Sequence, residues 1–178
     1  REHFRDARLL ALPPPAVSTP APIVVIVFAN DRSFGPFKPR FQGRAVAVDG
    51  FFQSGQDTNY IAINGDLREK ASRVVFHEYS HFLVRSTLGV APLWVSEGLA
   101  EVYATFQERD GGKSAVLGIA PPEHVRELKS TTLIPLAQLM APAHSSPMYN
   151  EGSRRGLFYA QSWAFMHYLT LGSETRGA

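Results

Sequence analysis

The chain contains no cysteine and carries almost no excess of either charge. The absence of Cys excludes a disulfide-stabilised scaffold and a metal site built on thiolates. The 18 Lys and Arg nearly balance the 16 Asp and Glu, for a net charge of +2. No basic stripe is present either, so nucleic acid is a poor candidate partner. The longest uninterrupted apolar run, residues 23–29, is too short to span a bilayer.

The chain also lacks an initiating Met, and no signal-peptide pattern follows residue 1. We therefore expect a processed or excised piece of a longer parent protein. The compartment stays open, and a periplasmic or extracellular location with the signal removed is compatible with the sequence. Apolar residues make up 44% of the chain, which is enough for a packed core in a single domain. The sequence does not determine the oligomeric state.

The pattern divides into a β-rich first half and a helical second half. An N-terminal helix and a Pro-rich linker are predicted within residues 1–20, before a single domain over residues 21–178. The predicted strands cover residues 23–29, 44–48 and 59–64, and a hairpin or longer loop over 53–58 joins the last two. The predicted helices cover residues 67–88, 92–106, 123–129 and 154–171, with a short apolar piece at 135–140. This order predicts an α+β fold, with a small mixed or antiparallel sheet followed by helices.

Residues 77–81 read His-Glu-Tyr-Ser-His. On the predicted helix, His77 and His81 are four residues apart and share one face, so both imidazoles can bind one metal ion. Glu78 points to one side of that ion, from where it can reach a metal-activated water without being a ligand. The alternative is a pair of helix-face histidines that hydrogen-bond to their neighbours.

A catalytic zinc takes three protein ligands and keeps one position open. The metzincin spacing would place a third His at position 87, which is Thr87 instead. The next helix offers Glu97 and Glu101, which share a face among apolar neighbours and therefore need positive partners. We assign Glu97 as the third ligand. Glu101 is expected to accept a hydrogen bond from the outer nitrogen of a ligating His, with His77 as the first choice.

Two segments of this chain together resemble the gluzincin metallopeptidases of the MA clan, and above all the bacterial peptidase-MA-like domains of unassigned function. The segments are His77-Glu78-Tyr79-Ser80-His81 and Trp94-Val95-Ser96-Glu97-Gly98-Leu99-Ala100-Glu101. A weaker resemblance extends from the strand at residues 23–29 to residues 158–163. The resemblance implies a zincin-like fold with an HExxH helix, a ligating Glu97 and an acid four residues on, at Glu101. The interval between His81 and Glu97 is shorter than in thermolysin-type enzymes, so the connection must be tight.

The resemblance also implies a strand that binds the substrate. In gluzincins an antiparallel edge strand pairs with the substrate backbone as an added strand. The predicted strand at residues 59–64 is the candidate here, and an ordinary core strand is an equal alternative. Its residues assigned to substrate binding are Tyr60, Ile61, Ala62 and Ile63.

Gluzincins further use a Tyr or His from a downstream helix to stabilise the oxyanion. Tyr159 is the first choice, and core packing is its alternative role. His167 lies eight residues on, and we expect it near a ligating His or simply buried. His144, in a Pro/Ser-rich loop, could approach a substrate, whereas His3 and His124 have no supporting context.

These residues predict a zinc-dependent peptidase that acts on peptide or protein substrates. One Zn²⁺ would activate a water, and Glu78 would act as the general base. Two imidazoles and a carboxylate also suit non-haem iron, but the Glu after the first His favours hydrolytic zinc. The alternatives are a zinc-binding interaction module with little or no hydrolysis, and a metal-free helical scaffold. Endopeptidase activity is favoured over aminopeptidase activity because no acidic anchor for a substrate amine was located.

Overall fold

The computed structural model describes residues 21–141, 146, 149 and 152–172. The strands are β1 (Ile23–Phe28), β2 (Arg40–Phe41), β3 (Arg44–Ala45), β4 (Gly50–Gln53), β5 (Asn59–Asn64), β6 (Gln107–Arg109) and β7 (Ser114–Val116). The helices are α1 (Asp31–Phe34), α2 (Ala71–Leu88), α3 (Leu93–Tyr103), α4 (Pro122–Ser130), α5 (Leu136–Met140) and α6 (Gly152–Leu171). Small sheets followed by helices confirm the α+β class. The helix and linker predicted within residues 1–20 lie outside the described residues.

The largest sheet has three strands in the order β1-β5-β4. β5 is its central strand, because it pairs in parallel with β1 along its whole length and antiparallel with β4. A strand with both edges paired cannot accept a further strand. The prediction that Tyr60, Ile61, Ala62 and Ile63 form a substrate-binding edge is therefore wrong, and they belong to a core strand.

The partner of β5 is also not the predicted one. The strand predicted at residues 44–48 shrinks to β3, which pairs with β2 in a separate two-stranded sheet. β4 takes its place beside β5, although Asp49 and Gly50 read as a turn signal in the sequence. Gly50 is needed because a Cβ there would lie 2.6 Å from Val74 Cγ1 of α2. Close packing of α2 against β4 therefore explains why glycine occupies this strand position, although the local sequence pattern indicates a turn there.

Helices α2 and α3 follow the sheet with a short connection between them. α2 ends at Leu88, and Gly89 follows with a positive φ of 69°, which glycine adopts readily. Pro92 is then the N-cap of α3, where its missing N–H costs no helical hydrogen bond. α2 and α3 are slightly shorter than the predicted 67–88 and 92–106, because a 3₁₀ segment (Gly65–Lys70) precedes α2 and β6 begins soon after α3.

The helical core lies where α3 crosses α6. Its buried residues come from α2, α3 and α6: Val84, Leu99, Val102, Trp163 and Met166. At Gly98 the two backbones come so close that a Cβ would lie 2.5 Å from the carbonyl oxygen of Ser162. This contact holds α3, and with it the acidic residues of its buried face, in a fixed position beside α6.

Among the helices in the described part of the chain, none combines the length and the apolar character that a bilayer-spanning segment requires.

Candidate metal centre

Helix α2 places His77 and His81 side by side. Their ring centroids are 4.9 Å apart, and the two Nε2 atoms are separated by 3.2 Å. Both side chains are mostly buried, with 13% and 17% of their surfaces exposed. The i, i+4 spacing on a straight helix produces this arrangement. Two imidazole nitrogens are thereby aimed at one point.

Helix α3 brings the carboxylate of Glu97 to the same point. Glu97 Oε2 lies 3.4 Å from His77 Nε2 and 3.5 Å from His81 Nε2. The side chain of Glu97 is 1% exposed, and no described residue hydrogen-bonds its Oε2. A buried carboxylate oxygen without a donor is costly unless a cation compensates it. The three ligand atoms lie within 4.8 Å of one another, so this set fits a metal ion.

The outer nitrogens of the two imidazoles have partners of their own. His77 Nδ1 lies 3.1 Å from Glu101 Oε1, and His81 Nδ1 lies 2.9 Å from the Ser96 hydroxyl. A neutral imidazole that donates from Nδ1 keeps its lone pair on Nε2. Glu101 can therefore fix the ring of His77 with its Nε2 toward Glu97, and the contact with Ser96 can do the same for His81. The role of Ser96 was missed in the sequence.

Glu101 is held by two residues that sequence reasoning did not select. His124 Nε2 of α4 lies 2.9 Å from Glu101 Oε2, and an Arg73 amino group of α2 lies 3.0 Å from the same oxygen. Arg73 also donates to Glu123. These contacts link α2, α3 and α4 beneath the site. No signal in the sequence could have identified His124, because its partner is 23 residues away in another helix.

Glu78 lies on the other side of the candidate metal position. Its side chain is buried, and its carboxylate accepts a hydrogen bond from the backbone N–H of Phe52 in β4. Burial raises the pKa of Glu78 above its usual 4.5, with the nearby histidines opposing the shift. A carboxyl group with a raised pKa is suited to accept and release a proton.

The pKa values of His77 and of the two carboxylates, Glu97 and Glu101, shift in opposite directions. Burial disfavours a charged His77, but the hydrogen bond to Glu101 and the nearby carboxylate of Glu97 outweigh it and raise the pKa of His77 well above 6.5. Burial likewise disfavours charged carboxylates, yet His81 and His77 hold the pKa of Glu97 below 4.5. His124 and His77 do the same for the pKa of Glu101. Without a metal, the two carboxylates therefore favour a protonated His77 between them.

Two tyrosines cover the site from the C-terminal part of the chain. The Tyr149 hydroxyl donates to Glu97 Oε1 over 3.0 Å, which leaves Oε2 as the carboxylate oxygen that faces the imidazoles. The Tyr149 ring stacks on Tyr159 at 6.0 Å, and Tyr159 stacks on His77 at 6.0 Å. Burial and the charge of Glu97 raise the pKa values of both phenols above 10, so both remain hydrogen-bond donors near neutral pH. Tyr149 was not selected in the sequence.

His167 does not belong to this site. Its Nε2 lies 2.9 Å from the Gly118 carbonyl oxygen, and its ring packs on Trp163. The prediction that His167 supports a ligating His is therefore wrong. Eight residues along a helix amount to about 12 Å and to a rotation of roughly 80° from the face of Tyr159. His144 lies outside the described residues.

The candidate metal position opens into a large cleft of about 1370 Å³. The residues that line it come from β4, the His-bearing face of α2, α4 and the start of α6. Because β4 is an edge strand of the sheet, a polypeptide in the cleft would meet its backbone.

Residues 73–175 match the model of a family described as "Protein of unknown function (DUF1570)". This match covers more than half of the 178 residues. The chain belongs to the DUF1570 family. No curated protein and no solved structure matches the chain. The DUF1570 region includes His77, His81, Glu97, Glu101 and His124, so every group of the candidate centre except the wall formed by β4 lies within it.

Proposed function

We propose that this DUF1570 protein is a zinc-dependent peptidase with a zincin-like fold of the gluzincin type. The observation that carries the proposal is the buried Oε2 of Glu97, which no described residue hydrogen-bonds and which faces two imidazole nitrogens. His77, His81 and Glu97 would hold one Zn²⁺, and three protein ligands leave a coordination position open. A site of this composition suits hydrolysis, whereas structural zinc sites are normally closed by four protein ligands.

The chain's own groups supply the remaining chemistry. When bound, zinc would activate a water molecule and polarise the carbonyl of the scissile peptide bond. Glu78 takes a proton from the attacking water and passes it to the leaving amine. The Phe52 N–H holds the Glu78 carboxylate in place for both transfers. Tyr159 remains our choice for the donor to the oxyanion, and Tyr149 beside it is the second candidate.

The substrate backbone would pair with β4 rather than with β5. The Asn64 N–H donates to the Asp49 carbonyl, so Asp49 and Asn64 form a hydrogen-bonded pair. Such pairs alternate along antiparallel strands, and the backbone groups of Gly50 and Phe52 therefore face away from β5. The bond from the Phe52 N–H to Glu78 agrees with this register. An extended peptide can add to this outer edge, next to the general base.

A direct test compares the wild-type protein with Glu78→Gln on zinc-loaded samples. We expect hydrolysis of a quenched peptide library that chelation abolishes and zinc restores. Glu78→Gln should bind one zinc per chain as the wild type does and lose about 10²–10⁴-fold in rate. Glu97→Ala should instead lose the metal itself. Full activity in Glu78→Gln would refute the mechanism. Stoichiometric zinc without turnover would favour the interaction module, and absence of zinc binding would leave the metal-free scaffold.

A further inference from the structure

The cleft continues along α2 beyond the candidate metal position, toward the end where β4 finishes. Arg85 follows His81 by four residues on α2, which places it one turn further along the same side of the helix. Its Nε donates a hydrogen bond of 3.2 Å to the hydroxyl of Ser54, the residue directly after β4. Both residues line the cleft. The guanidinium of Arg85 therefore faces the cleft, about 6 Å along the helix axis from His81.

β4 and α2 lie side by side and run in the same direction. At the start of β4, a Cβ on Gly50 would touch the side chain of Val74, in the first turn of α2. After the end of β4, Ser54 contacts Arg85, in the last turn of α2. A substrate strand that pairs with β4 would therefore also extend along α2, from one contact to the other.

The general base marks the reacting position on β4. The Glu78 carboxylate accepts a hydrogen bond from the Phe52 N–H, and Ser54 lies two residues further, or about 7 Å of extended chain. Antiparallel pairing is the commoner and slightly more stable arrangement of neighbouring strands. A substrate strand antiparallel to β4 runs from Ser54 toward Gly50. Its residues on the amino side of the scissile bond therefore approach Arg85.

Arg85 carries the charge at this end of the cleft. The described lining residues that neighbour Arg85 or Ser54 in the chain are uncharged: Gln53, Val84, Gly89, Val90 and Ala91. The positions three and four residues before and after Arg85 on α2 hold no acidic residue either. Its hydrogen-bond partner is a neutral hydroxyl. Within the described part of the chain, no carboxylate is paired with this guanidinium.

Other cations line the same cleft, but they lie toward the start of β4. Lys70 is the N-cap of α2. Arg40 pairs with Ala45 between β2 and β3, and Arg155 donates to the Ala47 carbonyl. All of these contacts precede β4 in the chain, on the opposite side of the Glu78 position from Ser54. An acidic group on the amino side of the scissile bond would therefore meet Arg85 rather than these cations.

We propose that Arg85 binds an acidic side chain of the substrate, within about three residues on the amino side of the scissile bond. This inference rests on the proposed peptidase function, and it names the substrate class as polypeptides with Asp or Glu shortly before the cleaved bond. The exposed guanidinium exchanges the Ser54 hydroxyl for a carboxylate, which it binds with two parallel hydrogen bonds.

The test uses quenched peptides that differ only in whether Glu or Gln occupies one position, and mass spectrometry identifies the cleaved bond. For the zinc-loaded wild type, kcat/KM should be about three- to tenfold higher with Glu at one of the positions on the amino side. This preference should weaken at high salt, because the charge pair is near the surface. Arg85→Met should bring the Glu-to-Gln ratio close to one. Arg85→Glu should instead favour Lys over Gln at the same position.

Lys70→Met is the matched control. Lys70 is an exposed cation that lines the cleft at the other end of α2, so its loss should leave the Glu-to-Gln ratio on the amino side unchanged. Arg85→Lys keeps the charge but not the planar pair of donors, and it should retain part of the preference. Thermal unfolding of all four variants excludes loss of the fold as the cause.

Several results separate this inference from the proposed function. A wild-type ratio near one, a ratio that survives Arg85→Met, or a Glu preference confined to the carboxyl side would overturn the Arg85 site and leave the peptidase intact. If no peptide is cleaved, binding of the same peptides to the wild-type protein is measured by fluorescence anisotropy. Tighter binding of a Glu peptide that Arg85→Met removes would support the site, and equal or undetectable binding would overturn it.

Discussion

His77 and Glu101 are joined through the imidazole nitrogen that faces away from Glu97. The Nδ1 of His77 lies 3.1 Å from Glu101 Oε1, while its Nε2 lies 3.4 Å from Glu97 Oε2. One imidazole therefore connects a carboxylate that can bind a metal to a carboxylate that fixes the ring. The second carboxylate is in turn held by Arg73 and His124. Because of this connection, residues remote from the candidate metal should affect how tightly it binds.

Replacing His124 should weaken metal binding although His124 is not a ligand. His124→Ala removes a 2.9 Å hydrogen bond from the buried Glu101, which should lower stability by about 1–3 kcal/mol. Loss of this support should also lower zinc affinity by about 10- to 100-fold. Competition with a chromophoric chelator measures the affinity. His167→Ala is the matched control, since it loses a hydrogen bond to Gly118 and should leave zinc affinity unchanged. Equal effects of the two variants on affinity would contradict the role of His124.

Replacing each of the two tyrosines should change a different property, zinc affinity for Tyr149 and kcat for Tyr159. Tyr149→Phe removes the donor to Glu97 Oε1, so we expect a roughly tenfold loss of zinc affinity. Tyr159→Phe should keep zinc affinity and lower kcat by about 10²–10³-fold, as the loss of an oxyanion donor does. Zinc titration and steady-state kinetics on saturated protein distinguish the two. A large loss of kcat in zinc-saturated Tyr149→Phe alone would assign the donor role to Tyr149.

The stability of the metal-free protein should pass through a maximum with pH. Glu97 and Glu101 have lowered pKa values, so their ionised carboxylates stabilise the fold fully above about pH 4.5. This contribution is lost as the pH falls through the pKa values of the folded state. His77 has a raised pKa, so its contribution is complete below 6.5 and is lost as the pH rises through the pKa of the folded state. Zinc replaces the proton among these groups, and the zinc-loaded protein should stay stable at about pH 8. Urea unfolding with chelator or with zinc measures both curves. Metal-free stability that keeps rising up to about pH 8 would contradict this account.

Gly98→Ala should destabilise the protein, although Ala normally favours a helix over Gly by up to about 1 kcal/mol. The new Cβ would lie 2.4 Å from Met166 Cγ and 2.5 Å from the Ser162 carbonyl oxygen, which belongs to the backbone of α6 and cannot move aside. We expect a loss of about 1–3 kcal/mol in the free energy of unfolding. Gly35→Ala is the control, because its Cβ meets nothing within 4 Å and its φ of −49° suits any residue. Denaturant unfolding compares the two, and equal stability would show that α3 and α6 can separate at no cost.

The sequence alone determined the features that depend on local spacing. The interval between His77 and His81 places both imidazoles on one helical face whatever the rest of the fold does. The same spacing relates Glu97 to Glu101. The long segment without Pro or Gly predicted α2 close to its observed bounds, the bounds predicted for α3 and α6 lie within three residues of the observed ones, and the β-branched run predicted β1.

Only the tertiary structure decided which elements meet. Packing between segments far apart in the chain makes β5 the central strand, places Gly50–Gln53 at the edge of the cleft and keeps His167 away from the site. His124 and Tyr149 reach Glu101 and Glu97 across 23 and 52 residues. Helix and strand periodicity determines which face a side chain occupies, but it holds no information about the partner that faces it, because that partner is selected by the burial of whole elements.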